Sequence, residues 1–97
     1  MVKHVVTFKL SGSAEERLDT ARRFKAALLA LPGKIEVLKC IEVGINENPN
    51  EEWDVALIAS VPTMDDVATY AKHPAHVEAT TIIANSKVAR ACVDYEI

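Results

Sequence analysis

This chain of 97 residues has little cysteine, few glycines and prolines, no long apolar run and no surplus of basic charge. Each scarcity excludes something. No stretch approaches the roughly 20 apolar residues that a membrane-spanning helix needs, so no membrane partner is expected. The opening MVKHVVTFKL starts as a leader might, with a lysine and valines. Its apolar run is short, is broken by Thr7 and Lys9, and is followed by no small-residue cleavage site, so it reads as structure. Cys40 and Cys92 lie far apart and form no CxxC pair, which favours reduced, buried thiols in a cytoplasmic protein. With a net charge of -3 there is no electrostatic reason to bind nucleic acid. The densest basic group, Arg22 to Lys25, reads as the solvated side of a helix. Repeats and low-complexity segments are absent, and residues 1–97 read as one domain.

What is present is a regular alternation of elements. In residues 2–10, His4, Val6, Phe8 and Leu10 share one face of a strand, with Val5, Thr7 and Lys9 on the other. Ser13 and Glu16 then form a capping box before a helix whose apolar positions are Leu18, Ala21, Phe24, Leu28 and Leu31, ended by Pro32-Gly33. β-Branched residues return from Ile35 to Ile45, a polar NENPNEE loop follows, and Trp53 to Val61 makes the next strand of a hairpin. Thr63 and Asp66 open a second helix, which must end or kink near His73 because the residue before a proline avoids helical geometry. Pro74 suits the first position of a further helix through PAHVEATTIIANSK, and Val88 to Ile97 closes the chain as a strand. The order β-α-β-β-α-β predicts an α+β, ferredoxin-like unit.

The strand patterns also bear on assembly. Ile35, Val37, Ile41, Val43 and Ile45 line one face while Leu38 and Cys40 line the other; Val55, Leu57, Ala59 and Val61 oppose Ala56 and Ile58. One helical layer cannot bury both faces. A domain this small buries only about 60–65% of its unfolded surface, so a second copy packed sheet to sheet is expected, a homodimer.

The histidines raise the question of chemistry. His73 and His76 are three apart, but Pro74 lies between them and no motif supplies further ligands, so no metal is expected. His73 reads as a helix-ending residue that bonds a free carbonyl. His4, set among Val6, Phe8 and Leu10, needs a polar partner if it points inward. Tyr70, His76 and Asp94, an acid between Val93 and Tyr95, are the candidates. A His–Asp pair would fix the imidazole tautomer and raise its basicity, as a general base requires; equally, these groups could simply satisfy one another in a small core.

The segments KHVVTFKL, WDVALIASV, YAKHPAH and VDYEI, spread over essentially the whole chain, resemble the stress-responsive dimeric α/β-barrel family. That resemblance implies a ferredoxin-like unit whose two copies form an α+β barrel. Family members include plant polyketide cyclases that use no cofactor. Carried onto this chain, it implies His76 as general base, Asp94 as its orienting partner, Tyr70 as hydroxyl donor to a developing oxyanion and His4 as a further pocket histidine. Val6, Phe8, Phe24, Val55 and Ala79 would line the ligand pocket. The chain departs from the cyclases at Val55, where they carry a further histidine, and at Glu78, Ala79 and Thr80. The expectation is therefore a homodimer binding a small apolar or carbonyl-containing ligand between sheet and helices. The alternative is a cofactor-free acid/base enzyme catalysing an aldol or cyclisation step, or less closely a monooxygenase. A purely structural or protein-interaction module is the third reading.

Overall fold

A computed structural model describes residues 1–97. Four strands, β1 (Val2–Leu10), β2 (Cys40–Ile45), β3 (Val55–Val61) and β4 (Lys87–Glu96), form one sheet in the order β2-β3-β1-β4. Every neighbouring pair is antiparallel. Helices α1 (Ala14–Leu29), α2 (Met64–Lys72) and α3 (Pro74–Thr80) complete the β-α-β-β-α-β order. This is the ferredoxin-like fold that the element order predicts.

The strict alternation of β1 drives the layering: Val2, His4, Val6, Phe8 and Leu10 are all buried, and the residues between them are half-exposed. Against that face pack Ala21, Phe24 and Leu28 of α1 and Val67 and Tyr70 of α2. Phe8 and Phe24 meet edge to face, with ring centroids 5.4 Å apart, which locks α1 onto the central strand. Both start signals for the helices act as expected. Ser13 Oγ accepts from the Glu16 amide while the Glu16 carboxylate accepts from the Ser13 amide. The Asp66 carboxylate accepts from both the amide and the hydroxyl of Thr63.

Two elements depart from the expected pattern. The β-branched run from Ile35 does not enter the sheet until Cys40. Gly33, at φ 90°, turns the chain back on itself, and the Ile35 and Leu38 amides then bond to the carbonyls of Leu31 and Ile35. Those turn hydrogen bonds consume the donors that a strand would use. Ile35 and Leu38 are three residues apart and both buried, whereas on a strand they would point to opposite faces. At the other end of the hairpin, Trp53 precedes β3 rather than starting it, and remains exposed. α3 stops at Thr80, and successive turns carry the chain to β4.

The helices cover one face only. On the other lie Val5 and Thr7 of β1, Ala56 and Ile58 of β3, and Ala89, Ala91, Val93 and Tyr95 of β4; Val93 is 63% exposed. No helix is long and apolar enough to cross a membrane.

Candidate functional site

Three elements bring the chemistry-bearing side chains together under the helical layer. Strand register supplies the first pair. His4 and Asp94 are direct cross-strand partners in the β1–β4 ladder, so their side chains emerge side by side on the helix-covered face. His4 Nδ1–H donates to Asp94 Oδ1 at 2.5 Å. His4 is only 6% exposed, so the carboxylate satisfies an imidazole that the apolar neighbours Val2 and Val6 cannot.

The break between α2 and α3 supplies the second pair. His73 ends α2 and caps α3, its Nδ1 accepting from the Ala75 amide at 3.0 Å. It therefore bonds a free N–H, not the free carbonyl expected of it. The carbonyl role falls to His76, whose Nδ1–H donates to Ala71 O at 2.9 Å. The exchange follows from Pro74: it opens a new helix at once, and a new helix start presents unbonded amides. With Nδ1 engaged as donor, Nε2 of His76 carries the lone pair. Burial pushes the His76 pKa below its ordinary value; the Ala71 bond opposes this, and the nearby His4 and Arg90 add to it. The ring is thus in its basic form at neutral pH.

Tyr70 joins the two pairs. Its ring stands edge-on to His4 at 5.9 Å between centroids and is tilted against His76 at 4.5 Å. It is fully buried, and burial pushes the phenol pKa up to about 12, so the hydroxyl is a neutral donor throughout the physiological range. That hydroxyl has no hydrogen-bond partner within the chain. Nearly all buried polar groups in proteins are paired, which makes an orphaned phenol beside two imidazoles a feature that calls for a cause.

The structure thus brings His4, Tyr70, His76 and Asp94 near one another, but Asp94 orients His4 and not His76, whose Nδ1–H goes to Ala71 O. Of the five residues expected to line a pocket, Val6, Phe8, Phe24, Val55 and Ala79, all are buried core members. Two substantial clefts lie away from the cluster. One of about 510 Å³ opens between the start of α1 and the loop at residues 46–52, beside Arg17 and Asp54. The other, of about 370 Å³, lies on the uncovered sheet face against Thr7, Gly44, Trp53 and Ala56, with Val55 at its margin.

Two residues near the cluster escaped the sequence reading. Cys92 lies on the same face of β4 as Asp94, with Sγ 3.5 Å from His4 Nδ1 and 3.6 Å from Asp94 Oδ1. Arg90 lies on that face again, close enough to affect the titration of both His76 and Cys92. The period of two through Arg90, Cys92 and Asp94 was the available signal.

An antiparallel ferredoxin-like sheet with helices on one face and the other face bare defines the α+β class of this protein. The chain belongs to the stress responsive A/B barrel domain family, whose model matches residues 2–97. Among solved structures it is similar to a dimeric protein of unknown function with a ferredoxin-like fold from Bacteroides fragilis: 51% identity over 99% of this chain and 95% of the other, TM-score 0.95. It is also similar to a dimeric ferredoxin-like protein of unknown function from Thermobifida fusca, at 26% identity over 99% and 90% of the two chains, TM-score 0.83. A hydroxynitrile lyase from Passiflora edulis shares the fold at 15% identity over 99% and 92%, TM-score 0.76. Among curated proteins no sequence matches the chain.

Proposed function

We propose that this chain is a cytoplasmic homodimer that binds a small, largely apolar carbonyl compound beside the α2–α3 break, without a cofactor. The observation that carries the reading is the Tyr70 hydroxyl, a buried donor with no acceptor of its own. A ligand carbonyl oxygen would supply that acceptor, and the surrounding rings and aliphatic side chains suit an apolar body. The thinnest cover over the cluster is α3, seven residues with Ala79 as its one buried side chain, so entry there disturbs little packing.

The dimer rests on the bare sheet face. Val5, Ile58, Val93 and Tyr95 have no cover within the chain, and the relatives from Bacteroides fragilis and Thermobifida fusca are described as dimeric. Two-fold packing of that face would bury the apolar rows against their copies.

A second reading is favoured by the free Nε2 of His76: acid/base catalysis on the bound carbonyl compound. His76 in its basic form would take a proton from the carbon next to the carbonyl, and Tyr70 would donate to the enolate oxygen. The carbanion could then close on a second carbonyl in an aldol or cyclisation step. The His4–Asp94 pair would fix the ring against which Tyr70 is held. The fold also carries a hydroxynitrile lyase, and an oxygenation is the less favoured version.

A ligand-observed NMR screen of small ketones, aldehydes and polyketide-like thioesters tests the binding. Wild type should bind at least one class, and Tyr70→Phe should lose it while remaining dimeric by sedimentation. Equal binding by Tyr70→Phe would remove the basis of the proposal. Turnover that persists in His76→Ala would remove the catalytic reading alone.

A further inference from the structure

Cys92 has no role in either reading above, yet it completes a cluster. Two residues apart on β4, Cys92 and Asp94 share the helix-covered face, and the antiparallel register sets Asp94 directly opposite His4 and Cys92 opposite Val6. Three donor atoms of different chemistry meet there, all within 4.8 Å of one another: an imidazole nitrogen, a thiol sulfur and a carboxylate oxygen. The chain contains no other such group of three.

Two of their three separations match the edges of a metal tetrahedron. In a tetrahedral zinc site, with Zn–S about 2.3 Å, Zn–N about 2.05 Å and Zn–O about 2.1 Å, the N–S and S–O edges are each about 3.6 Å and the N–O edge about 3.4 Å. Here N–S is 3.5 Å and S–O is 3.6 Å. Only the N–O edge is short, at 2.5 Å, because a shared hydrogen draws His4 and Asp94 together.

We propose that His4 Nδ1, Cys92 Sγ and Asp94 Oδ1 form a zinc-binding site in which the ion takes the place of the hydrogen between imidazole and carboxylate. The N–O edge opens by about 0.9 Å to the tetrahedral value, and water fills the fourth position. The protons balance simply. The thiol releases its proton to solvent as the S–Zn bond forms, the imidazole hydrogen moves from Nδ1 to Nε2, and the carboxylate binds as the anion. A thiolate, an imidazole and one carboxylate suit Zn²⁺ rather than Mg²⁺ or Ca²⁺, which take oxygen ligands. The two anionic ligands neutralise the ion. Entry is open because β4 is an edge strand and the Asp94 side chain keeps 22% exposure.

The proposal does not rest on the carbonyl-binding reading. If both hold, zinc would separate His4 from Asp94 and so compete with any chemistry that uses that pair.

Cobalt(II) chloride added to the metal-free protein is the direct test. Wild type should give intense tetrahedral d–d bands and a thiolate-to-cobalt charge-transfer band, both abolished by one equivalent of zinc chloride. Cys92→Ala should lose the charge-transfer band and weaken zinc binding by more than about 100-fold, the upper range for changes that only touch a ligand's neighbours. Cys92→Ser, which keeps the shape of the side chain, should lose the same band if the alanine variant misfolds. Cys40→Ala, altered on the bare sheet face, should keep everything. Weak octahedral bands in wild type, bands that survive Cys92→Ser, or bands that vanish in Cys40→Ala would each overturn the site.

Discussion

Replacing Tyr70 by phenylalanine removes one oxygen and nothing else, and the structure assigns that change an unusual sign. Substitutions at fully buried positions generally destabilise. Here the atom removed is a hydroxyl with no partner in a fully buried environment. Leaving such a group unsatisfied costs about 1–3 kcal/mol. The phenyl ring retains the tilted contact with His76 and the edge contact with His4, so almost no packing is lost. Tyr70→Phe should therefore stabilise the ligand-free protein by about 1 kcal/mol or more. For a domain of this size each 1 kcal/mol raises Tm by roughly 4–8 °C. Thermal unfolding followed by circular dichroism, at one fixed protein concentration because a dimer's Tm depends on it, provides the measurement. The same variant should fail to bind the carbonyl compounds that wild type binds. A stabilised variant without binding is the signature of a group retained for function at a cost in stability. A lower Tm for Tyr70→Phe would refute the reasoning, because it would mean that the hydroxyl is already bonded in the free protein.

Other perturbations probe the remaining contacts. His76 titrates below 6.5 in the folded chain and at its ordinary value when unfolded, so at acid pH the unfolded chain binds the extra proton. Its contribution to stability is intact above pH 6.5 and is lost as pH falls through the folded pKa. The C–H shifts of the ring in an NMR titration should show a midpoint below 6.5, and a midpoint above that value would contradict the burial assigned to it. Asp94→Ala strands the buried Nδ1–H of His4 and should cost about 1–3 kcal/mol in denaturant unfolding, with Asp94→Asn, which keeps an acceptor, costing clearly less. Asp54→Ala should be damaging far from the cluster, because one carboxylate holds both the Leu10 amide at 2.7 Å and Arg17 Nε at 3.1 Å. A loss of about 1–3 kcal/mol is expected there as well. Val93→Lys, on the bare sheet face, should shift the sedimentation coefficient to that of a monomer while the far-ultraviolet spectrum is retained; a dimer of unchanged stability would place the interface elsewhere.

The elements whose signals are local could be read from the sequence, and those that depend on pairing could not. The alternation of β1 and the Ser13–Glu16 box are complete within a few residues, and both appear in the structure as expected. Ile35 to Leu38 misled because β-branched residues suit a strand, whereas the turn at Gly33 commits the Ile35 amide to Leu31 O and the Leu38 amide to Ile35 O. His73 and His76 exchanged roles because the outcome depended on which side of Pro74 retained unbonded amides. Asp94 stood out as an acid among apolar residues, but Cys92 did not. The period of two places it on the face of Asp94, but its distance from His4 follows from a register between residues 88 apart. Spacing within one segment offers no metal motif at His73 and His76; the group of three donors, His4, Cys92 and Asp94, spans two strands.

The pairing of β1 with β4 has a further consequence, for the timing of folding. His4 and Asp94 are 90 residues apart, so their hydrogen bond closes one of the longest loops the chain can make. During synthesis β1 emerges first and can dock α1 and the β2–β3 hairpin. Its other edge waits, unpaired, until the last strand is released. Such long-range pairing is slow because the loop entropy is lost before any contact compensates for it. The imidazole of His4 thus acquires its carboxylate only when β4 pairs. Correct burial of that ring therefore reports that β4 has paired, and a chain lacking β4 would present a bare strand edge open to aggregation or to chaperones.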